Sequence, residues 1–344
     1  MSILIFRTDR IGDVVLTLPL ASALRRQYPG ERVLFCAQRY AAAIPRLCPD
    51  VDEVMEIEER DVRNPFPLAR LLRQRQVRLV LFAYPRPGLA LAAALARVPL
   101  RVGTAYRWYA PLFTHRHHEH RRESVRHERD YNLSLLGALG SVQEDFPAPR
   151  LVLDAAQRTA GRRILEESGI AAGRVVLLHP GSGGSAKDWP MERMNALARD
   201  VMARHADVRV LFSASTEELP RVRALREGLD QRAHVLPRGL ALTELAAVLA
   251  AVDCVVANST GPLHMAAALG TPVLGLYPFQ RECHPRRWGP LGTATRVLMP
   301  RPASDCAACA AGRCDEHDAM ERISVDEALT ALEELLQQPR TQER

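Results

Sequence analysis

Short apolar runs alternate with helical patterns along the whole chain. In the first half, apolar runs predict strands at 2–7, 33–37, 51–57, 77–83 and 100–103. Stretches with helical spacing predict helices between them, at 14–28, 40–47, 66–75 and 89–97. The second half repeats the alternation, with strands expected at 174–178, 208–212, 234–236, 254–257 and 272–276. Buried strands separated by helices predict an α/β fold, with open parallel sheets covered by helices on both faces.

A stretch of linker composition interrupts this alternation at 141–150. We therefore expect two domains, 1–150 and 151–344. A proline-rich segment that extends to Pro302 is expected to be irregular. The last predicted helix, 324–336, is amphipathic and capped. For this helix we consider two arrangements, one within the second domain and one in which it packs back on the first.

The stretch 252–270, VDCVVANSTGPLHMAAALG, predicts a strand, a tight loop and a helix in immediate succession. Such a loop presents backbone N–H groups at a helix N-terminus, where an anion binds without a nearby cation. Thr260 and Gly261 are the natural phosphate contacts, with Ser259 beside them, and His264 lies one helical turn further on. The alternative is that these residues only cap the helix.

A second loop, 179–190, has the sequence HPGSGGSAKDWP and also lies between an apolar run and a helix. Loops after two strands of one parallel sheet can border the same crevice, so Ser182, Gly183 and Lys187 are further candidate phosphate contacts. Lys187 is the only lysine among 46 basic residues. Its compact ammonium suits a phosphate, and the alternative is a chance survivor of an arginine-rich composition. Neither loop has the fingerprint of a P-loop or a dinucleotide-binding loop.

Two acidic residues lie in loops that follow predicted strands. Asp13 ends the sequence TDRIGD after the first strand. It is either the N-cap of the next helix or a general base in a ligand crevice. Glu217 begins another predicted helix, where it either accepts hydrogen bonds from ribose hydroxyls or interacts with the helix dipole. The pattern leaves both choices open.

The composition narrows the class of partner. The chain has 344 residues, of which 47% are hydrophobic, and a formal net charge of +6. These values predict a globular protein whose partners are anionic, such as a nucleotide, a phosphorylated lipid or a membrane surface. No apolar run reaches the roughly 18 residues of a membrane span, and residues 1–28 lack the order of a signal peptide. We therefore expect a cytoplasmic protein with reduced thiols.

The segment 101–129 holds seven arginines and five of the eleven histidines, interleaved with aromatic residues. Its arginines suit the phosphates of an anionic lipid or sugar acceptor. The candidate acceptor contacts are Arg10, Arg107, Arg116, Arg121 and Arg122. A solvated basic loop is the alternative. A metal site has no matching ligand spacing, and no signature of a nucleic-acid-binding fold accompanies the charge.

A cysteine-rich pattern, C-x2-C-x4-C-x2-H, lies near the C-terminus. It consists of Cys306, Cys309, Cys314 and His317. These are ligand types of structural zinc. No zinc-ribbon pattern surrounds them, so we favour a reduced loop over a metal site.

Four stretches together resemble glycosyltransferase family 9, the bacterial heptosyltransferase family of lipopolysaccharide core synthesis. They are ILIFRTDRIGDVVLTLP at 3–19, HERDYNLSLLGALG at 127–140, and the loops at 179–190 and 258–270. The resemblance implies a GT-B fold, in which two Rossmann-like domains face each other across a cleft. It implies that the first domain binds the acceptor and the second the nucleotide-sugar donor. It also implies an inverting enzyme that uses no metal or cofactor.

The resemblance also implies roles for individual residues. Asp13 corresponds to the catalytic base, Lys187 to a phosphate-contacting lysine and Glu217 to a nucleoside contact. The residues that correspond to the diphosphate loop are Thr260, Gly261 and His264. The expected donor is ADP-heptose, and the expected acceptor is an anionic lipid-linked sugar of the lipopolysaccharide core at the inner-membrane surface.

Position 259 departs from the family pattern. Members that act on heptose usually carry aspartate before the Thr-Gly pair, whereas this chain has Ser259. Serine can hydrogen-bond a sugar hydroxyl but brings no charge. Two alternatives to heptose transfer follow. One is the use of another nucleotide-sugar for a different surface glycan, and the other is a protein that binds a nucleotide-sugar without catalysis.

Overall fold

The computed structural model describes residues 1–140, 147–184, 186–301, 306–310 and 319–338. The chain divides into two units, Met1–Val152 and Leu153–Arg344, which we call the N-terminal and C-terminal units. Each unit contains one six-stranded sheet whose neighbouring strands are all parallel. The α/β class predicted from the alternating pattern is confirmed.

The N-terminal unit alternates strands and helices. Its strands are β1 Ser2–Phe6, β2 Arg32–Gln38, β3 Glu53–Ile57, β4 Val77–Phe82, β5 Leu100–Thr104 and β6 His115–His117. Its α-helices are α1 Ile11–Val15, α2 Leu18–Gln27, α3 Ala43–Arg46, α4 Glu59–Arg63, α5 Pro65–Gln74, α6 Pro87–Leu95 and α7 Glu128–Leu133. The strand order is β3-β2-β1-β4-β5-β6.

The C-terminal unit is built in the same way. Its strands are β7 Arg174–His179, β8 Val208–Phe212, β9 Ala233–Val235, β10 Cys254–Asn258, β11 Val273–Leu276 and β12 Thr295–Leu298. Its described α-helices are α8 Ala155–Glu167, α9 Met191–Arg204, α10 Leu219–Arg226, α11 Leu242–Ala251, α12 Gly261–Ala268, α13 Pro285–Trp288, α14 Ala307–Ala310 and α15 Val325–Leu336. The strand order is β12-β11-β10-β7-β8-β9. Among the described helices of both units, none has the length and apolarity needed to cross a membrane.

The central strands are buried because they are continuous apolar runs. β1 lies between β2 and β4, with Ile3 opposite Val33 and Leu79, and all five of its residues are buried. β10 lies between β7 and β11, with Val256 opposite Leu178. Helices cover parallel sheets on both faces, so their strands need no polar side.

The sequence pattern missed two edge strands. β6 lies in the basic segment, for which no strand was predicted, and β12 lies in the proline-rich segment, where we expected irregular structure. The expectation of irregular structure was wrong at β12. β6 has the sequence HRH and β12 the sequence TRVL, and both are largely half-exposed. An edge strand has one open side and needs no continuous apolar run.

The terminal helix α15 belongs to the C-terminal unit by its contacts. It packs against α9 and against the strands β10, β11 and β12. Leu329, Leu332 and Leu335 are buried on its packed face.

Each sheet brings its candidate residues to its carboxyl edge. In the N-terminal unit, Asp13 follows β1, Arg107 follows β5 and Arg122 follows β6. In the C-terminal unit, Lys187 follows β7 and Thr260 follows β10. Ligands of open α/β sheets bind outside the carboxyl ends of the strands, so both edges are candidate binding surfaces.

Candidate functional site

Arg7 is the centre of a buried charged cluster in the N-terminal unit. It follows β1 directly, and its side chain is almost completely buried. Its guanidinium donates to Asp9 Oδ1 at 2.7 Å, to Glu128 Oε1 at 2.8 Å and to Asp13 Oδ1. A buried cation needs such partners, because they replace the water that it loses on folding.

Asp13 is the third residue of α1, and its carboxylate bonds Arg7 instead of capping the helix. The N-cap is Arg10, so the N-cap interpretation of Asp13 is wrong. The Asp13 side chain is 14% exposed. Burial raises its pKa to about 6, Arg7 opposes this shift, and the charges of Asp9 and Glu128 add to it. A carboxyl group with a pKa close to neutrality is suited to accept a proton from a hydroxyl.

Arg121, a candidate acceptor contact, is part of the same cluster. Its Nη1 donates to Glu128 Oε1 at 3.0 Å and to Asn132 Oδ1 at 3.1 Å. Its Nη2 donates to the Tyr131 carbonyl at 2.7 Å. Asn132 extends the network by donating to Thr17 Oγ1 at 3.0 Å. Arg121 therefore stabilises the cluster from within, and several of its donors are already engaged.

The sequence pattern did not single out Arg7, Glu128 or Asn132. Glu128 and Asn132 are four residues apart on α7 and therefore on one helix face, which was the available signal. Arg7 has no comparable signal, because its partners come from distant parts of the chain and are brought to it only by packing.

The other candidate acceptor contacts lie on the surface. Arg10, Arg107, Arg116 and Arg122 are exposed, and within the described ranges their side chains make no hydrogen bond or ion pair. Arg116 lies in β6, and the other three lie in segments that follow β1, β5 and β6. Exposed guanidiniums of this kind can bind an anionic group without first losing a partner.

In the C-terminal unit, Asn258 joins the two predicted loops. It is the last residue of β10 and is fully buried. Its Oδ1 accepts the backbone N–H of Trp189 at 2.9 Å. Its Nδ2 donates to the Pro180 carbonyl and, at 3.3 Å, to Asp188 Oδ1. The loop that carries Lys187 is therefore tied to the start of the loop before α12.

The N-terminus of α12 has no side-chain cap. Thr260 is the N-cap residue, but its hydroxyl makes no capping bond. Its Oγ1 atom is buried and has no hydrogen-bond partner among the described residues. Gly261 begins the helix, and His264 is buried in its first turn. The Thr260 side chain therefore does not cap the helix, and the arrangement suits an oxyanion that accepts from the hydroxyl and the helix N–H groups.

The loop that carries Lys187 has a defined shape. Ser182 Oγ donates to the Ala186 carbonyl at 2.9 Å and accepts the Ala186 N–H at 3.4 Å. Gly183 and Gly184 have φ angles of +56° and +74°, in the region that favours glycine. Ser182 and the glycines therefore form the turn, and Lys187 lies exposed just beyond it.

The acidic residue that touches this loop is Glu218. Its Oε2 accepts the Ser215 N–H at 3.1 Å. Its carboxylate lies so close to Gly181 that a Cβ there would come within 1.9 Å of Oε1. Glu217 is exposed on the same turn. The sequence could not separate two adjacent acidic residues, because their orientations depend on where α10 begins, and Glu218 joins Glu217 as a candidate.

Comparison with known families identifies the chain. The sequence model of glycosyltransferase family 9 (heptosyltransferase) matches residues 67–318, which is most of the chain. The chain belongs to glycosyltransferase family 9. The matched range includes the loops of Lys187 and Thr260, whereas Asp13 precedes it.

Curated relatives agree with this family. A Haemophilus influenzae protein, provisionally named a glycosyltransferase, is 26% identical over 96% of this chain and 95% of its own length. Lipopolysaccharide heptosyltransferase 1 of Pseudomonas aeruginosa is 28% identical over 80% of this chain and 78% of its own length. The family and these relatives identify the chain as a heptosyltransferase-like enzyme of glycosyl transfer.

Solved structures share the fold. A glycosyl transferase of family 9 from Veillonella parvula superposes with a TM-score of 0.84, at 20% identity over 97% of both chains. ADP-heptose lipopolysaccharide heptosyltransferase II of Escherichia coli superposes with a TM-score of 0.80, at 19% identity over 98% of both chains. The fold of this family 9 chain, with two parallel α/β sheets, is therefore that of the GT-B heptosyltransferases.

Ser259, the departure from the family pattern, contacts Tyr277. Its side chain hydrogen-bonds the Tyr277 phenol, whose hydroxyl donates to the Trp288 carbonyl at 2.6 Å. Burial raises the pKa of Tyr277, so the phenol stays protonated near neutral pH. Position 259 therefore brings a neutral, hydrogen-bonded group to the start of α12 where a carboxylate would bring a charge.

The zinc pattern lies mostly beyond the described part of this family 9 chain. Cys314, His317 and the side chain of Cys309 are outside the described residues, and Cys306 is half-buried. Among the residues that are described, no three His, Cys, Asp or Glu side chains are grouped to hold a metal ion. No metal is assigned to the candidate site.

Proposed function

We propose that this family 9 enzyme transfers heptose from ADP-heptose to a lipopolysaccharide core acceptor, with inversion at the anomeric carbon. The names of its relatives support the substrate class, because they include a lipopolysaccharide heptosyltransferase and an ADP-heptose transferase of the same fold. The observation that carries the proposal is the uncapped start of α12, where the buried Thr260 hydroxyl has no partner among the described residues.

The donor diphosphate binds at the start of α12. The helix N–H groups and the Thr260 hydroxyl donate to its oxygens, and Lys187 adds a positive charge from the second loop. As the bond to the leaving diphosphate breaks, these groups stabilise the charge that develops on it. They supply the positive charge themselves, so the mechanism assigns no step to a metal or cofactor. Glu217 and Glu218 are the candidate acceptors of hydrogen bonds from the ribose hydroxyls.

Asp13 is the proposed general base. The acceptor hydroxyl oxygen forms a bond to the anomeric carbon while the bond from that carbon to the diphosphate breaks, and ADP leaves. The hydroxyl proton passes to Asp13. A pKa of about 6 leaves the carboxylate mostly ionised at neutral pH and more basic than an ordinary aspartate. Arg7 holds the carboxylate in place through its ion pair.

The exposed arginines of the N-terminal unit bind the anionic acceptor. Arg10, Arg107, Arg116 and Arg122 offer donors that no described residue uses. Arg121 is less suited to this role, because it is engaged with Glu128 and its neighbours. A lipid-linked acceptor is anchored in a membrane, and this agrees with the expectation that the enzyme acts in the cytoplasm at the inner-membrane surface.

A second candidate is transfer of another sugar. The neutral contact between Ser259 and Tyr277 favours it, because members that act on heptose usually carry a carboxylate at position 259. A donor sugar that needs only a hydroxyl partner would fit this site. The chain would then build a different surface glycan by the same chemistry at Asp13 and Lys187.

Thermal unfolding with a set of nucleotide-sugars tests the proposal. A ligand that binds the folded chain raises its melting temperature according to its occupancy. ADP-heptose should give the largest increase, and this increase should be smaller in the Thr260→Val variant. A larger increase with a nucleotide-hexose would favour the second candidate. No increase with any nucleotide-sugar would contradict donor binding, and binding without transfer to any acceptor would indicate a non-catalytic protein.

A further inference from the structure

The exposed apolar side chains are unevenly distributed. In the described part of the chain, every exposed large hydrophobic residue lies in the N-terminal unit. Two of them, Met1 and Val152, lie near the ends of the unit. The others lie in the segments that follow β2 to β6, at Tyr40, Phe66, Tyr84, Leu91, Tyr106, Trp108 and Val125. Four of them, Tyr40, Tyr84, Tyr106 and Trp108, lie within four residues of the end of a strand and therefore at the carboxyl edge of this sheet, whereas Phe66 and Leu91 lie in the helices α5 and α6.

Trp108 is the most exposed of these residues. Its side chain is 83% exposed. Its ring meets Tyr109 edge to face, with centroids 5.4 Å apart. Tyr109 is buried and donates to the Pro85 carbonyl at 2.8 Å. The indole therefore projects into solvent and packs against Tyr109, which is itself anchored by a hydrogen bond.

A column of aromatic rings connects this neighbour to the core. Tyr109 lies 5.9 Å from Phe113, Phe113 lies 5.0 Å from Phe82, and Phe82 lies 5.2 Å from Phe6 in β1. Gly103 leaves room for Phe113, because a Cβ there would come within 2.6 Å of the ring. Packed aromatic rings therefore extend from the core to the neighbour of Trp108.

Tyr106 and three exposed arginines lie in β6 and in the segments that follow β5 and β6, the same part of the fold as Trp108. Tyr106 is half-exposed and stacks on His120 at 4.1 Å, which joins the loops that follow β5 and β6. Arg107, Arg116 and Arg122 are exposed and make no ion pair with a described residue. We call these five residues, Tyr106, Arg107, Trp108, Arg116 and Arg122, the Trp108 surface.

The charge of this region favours an anionic partner. The segment 101–129 has seven arginines and three acidic residues. Two of the three acidic residues are already paired, Glu128 with Arg7 and Glu119 with Arg126. One acidic residue, Glu123, is left to offset Arg107, Arg116 and Arg122, so this segment keeps a net positive charge.

We propose that the Trp108 surface docks on a bilayer that contains anionic phospholipids. Indole rings prefer the interface between headgroups and acyl chains, and arginines bind the headgroup phosphates. A protein partner would need a shaped, complementary surface, whereas a bilayer needs only a projecting aromatic ring and a positive charge. The inference deepens the proposed function and rests on it, because docking would bring the enzyme to a lipid-linked acceptor.

Co-sedimentation with vesicles tests this docking without any transfer reaction. The full chain is mixed with phosphatidylcholine vesicles that contain or lack phosphatidylglycerol. Trp108→Ser should lower binding to the anionic vesicles by about fivefold or more. Arg107→Gln/Arg116→Gln should lower it by about 25-fold, on the basis of about fivefold for each basic residue near the surface.

Two control variants remove similar groups elsewhere. Val152→Ser removes an exposed apolar side chain outside the carboxyl edge, and Arg97→Gln/Arg162→Gln removes two exposed arginines without described partners. Arg97 precedes β5 at the amino edge, and Arg162 lies on α8. Both controls should bind the anionic vesicles like the unaltered chain. Melting temperatures of all variants establish that they are folded.

The outcomes separate this inference from the proposed function. The docking is supported if the unaltered chain binds only the anionic vesicles, and if the Trp108 surface variants lose this binding while the two control variants keep it. The inference would be overturned if Trp108→Ser bound the anionic vesicles as tightly as the unaltered chain does. It would also be overturned if the unaltered chain bound neutral and anionic vesicles equally, or bound no vesicles. The response of the melting temperature to ADP-heptose is measured on the same samples. Donor binding without docking overturns only the inference, and docking without donor binding overturns only the proposed function.

Discussion

The side-chain carbonyl of Asn258 accepts the backbone N–H of Trp189 at 2.9 Å. This hydrogen bond joins the end of β10 to the loop that carries Lys187. Neither group can reach water, because both residues are fully buried. The relative position of the two loops of the C-terminal unit therefore depends on one amide side chain.

Asn258→Ala should weaken both folding and donor binding. It leaves the Trp189 N–H buried without its partner, which costs about 1–3 kcal/mol in the free energy of unfolding. It also releases the Lys187 loop, so the affinity for ADP should fall. Denaturant unfolding and calorimetric titration measure the two effects. The control Asn195→Ala removes a 2.7 Å bond to the Leu225 carbonyl and should leave ADP affinity unchanged. A folded Asn258→Ala variant with normal ADP affinity would contradict the role of Asn258.

Thr260→Val should separate stability from binding. The Thr260 hydroxyl has no described partner, so its removal should leave the melting temperature unchanged or higher. The affinity for ADP should fall roughly fivefold to tenfold, because the hydroxyl donates to the diphosphate. Thr271→Val is the matched control, since the Thr271 hydroxyl donates to the Leu249 carbonyl at 2.7 Å. That variant should lose stability and keep its ADP affinity, and the reverse pattern in the two variants would refute the diphosphate site.

Lys187 should be sensitive even to a conservative change. Lys187→Gln should lower kcat about 100- to 1,000-fold, because it removes a group that stabilises the leaving diphosphate. Lys187→Arg keeps the charge but replaces a compact ammonium with a planar guanidinium, and kcat should fall by about tenfold. Steady-state kinetics with saturating donor measure both values. Unchanged kinetics in Lys187→Arg would argue for the chance survival of a single lysine.

The rate should depend on the ionisation of Asp13. Burial raises its pKa to about 6, and only the ionised form can accept the acceptor proton. The value of kcat/KM should therefore rise about tenfold per pH unit below pH 6 and level off above it. A flat profile between pH 5 and pH 7, about one unit to either side of this pKa, would be inconsistent with Asp13 as the base.

Stability gives an independent check on the same group. The pKa of Asp13 lies above its ordinary value of 3.8, so the folded chain holds this proton more tightly than the unfolded chain. Its contribution to the free energy of unfolding is present below about pH 4 and is lost as the pH rises to about 6. Asp13→Asn lacks this loss, so its stability relative to the unaltered chain should increase across that window. Chemical unfolding at several pH values measures the difference.

The central strands of both sheets could be predicted from the sequence, because continuous apolar runs are what a sheet covered on both faces requires. Two edge strands could not. His115–His117 has no apolar residue, and Thr295–Leu298 lies within the proline-rich segment, so only their pairing with neighbouring strands defines them.

The positions of the two loops of the candidate site could also be predicted, because glycine, serine and threonine favour turns and helix N-termini. The orientations of individual side chains could not be predicted. Arg121 points into the cluster around Arg7, and Glu218 lies beside Glu217 but is the one that contacts Gly181. Such choices depend on the packing of residues that are distant in sequence, which a linear pattern does not contain.

The most direct test of the account is transfer of heptose from radiolabelled ADP-heptose to a core acceptor by the Asp13→Asn variant. Asp9→Asn is the matched control, because Asp9 also bonds Arg7, at 2.7 Å, but is not the proposed base. We predict that Asp13→Asn lowers the transfer rate by about 100- to 10,000-fold with unchanged donor affinity, and that Asp9→Asn has a much smaller effect. Near-normal transfer by Asp13→Asn would contradict the assignment of the base and the mechanism that depends on it.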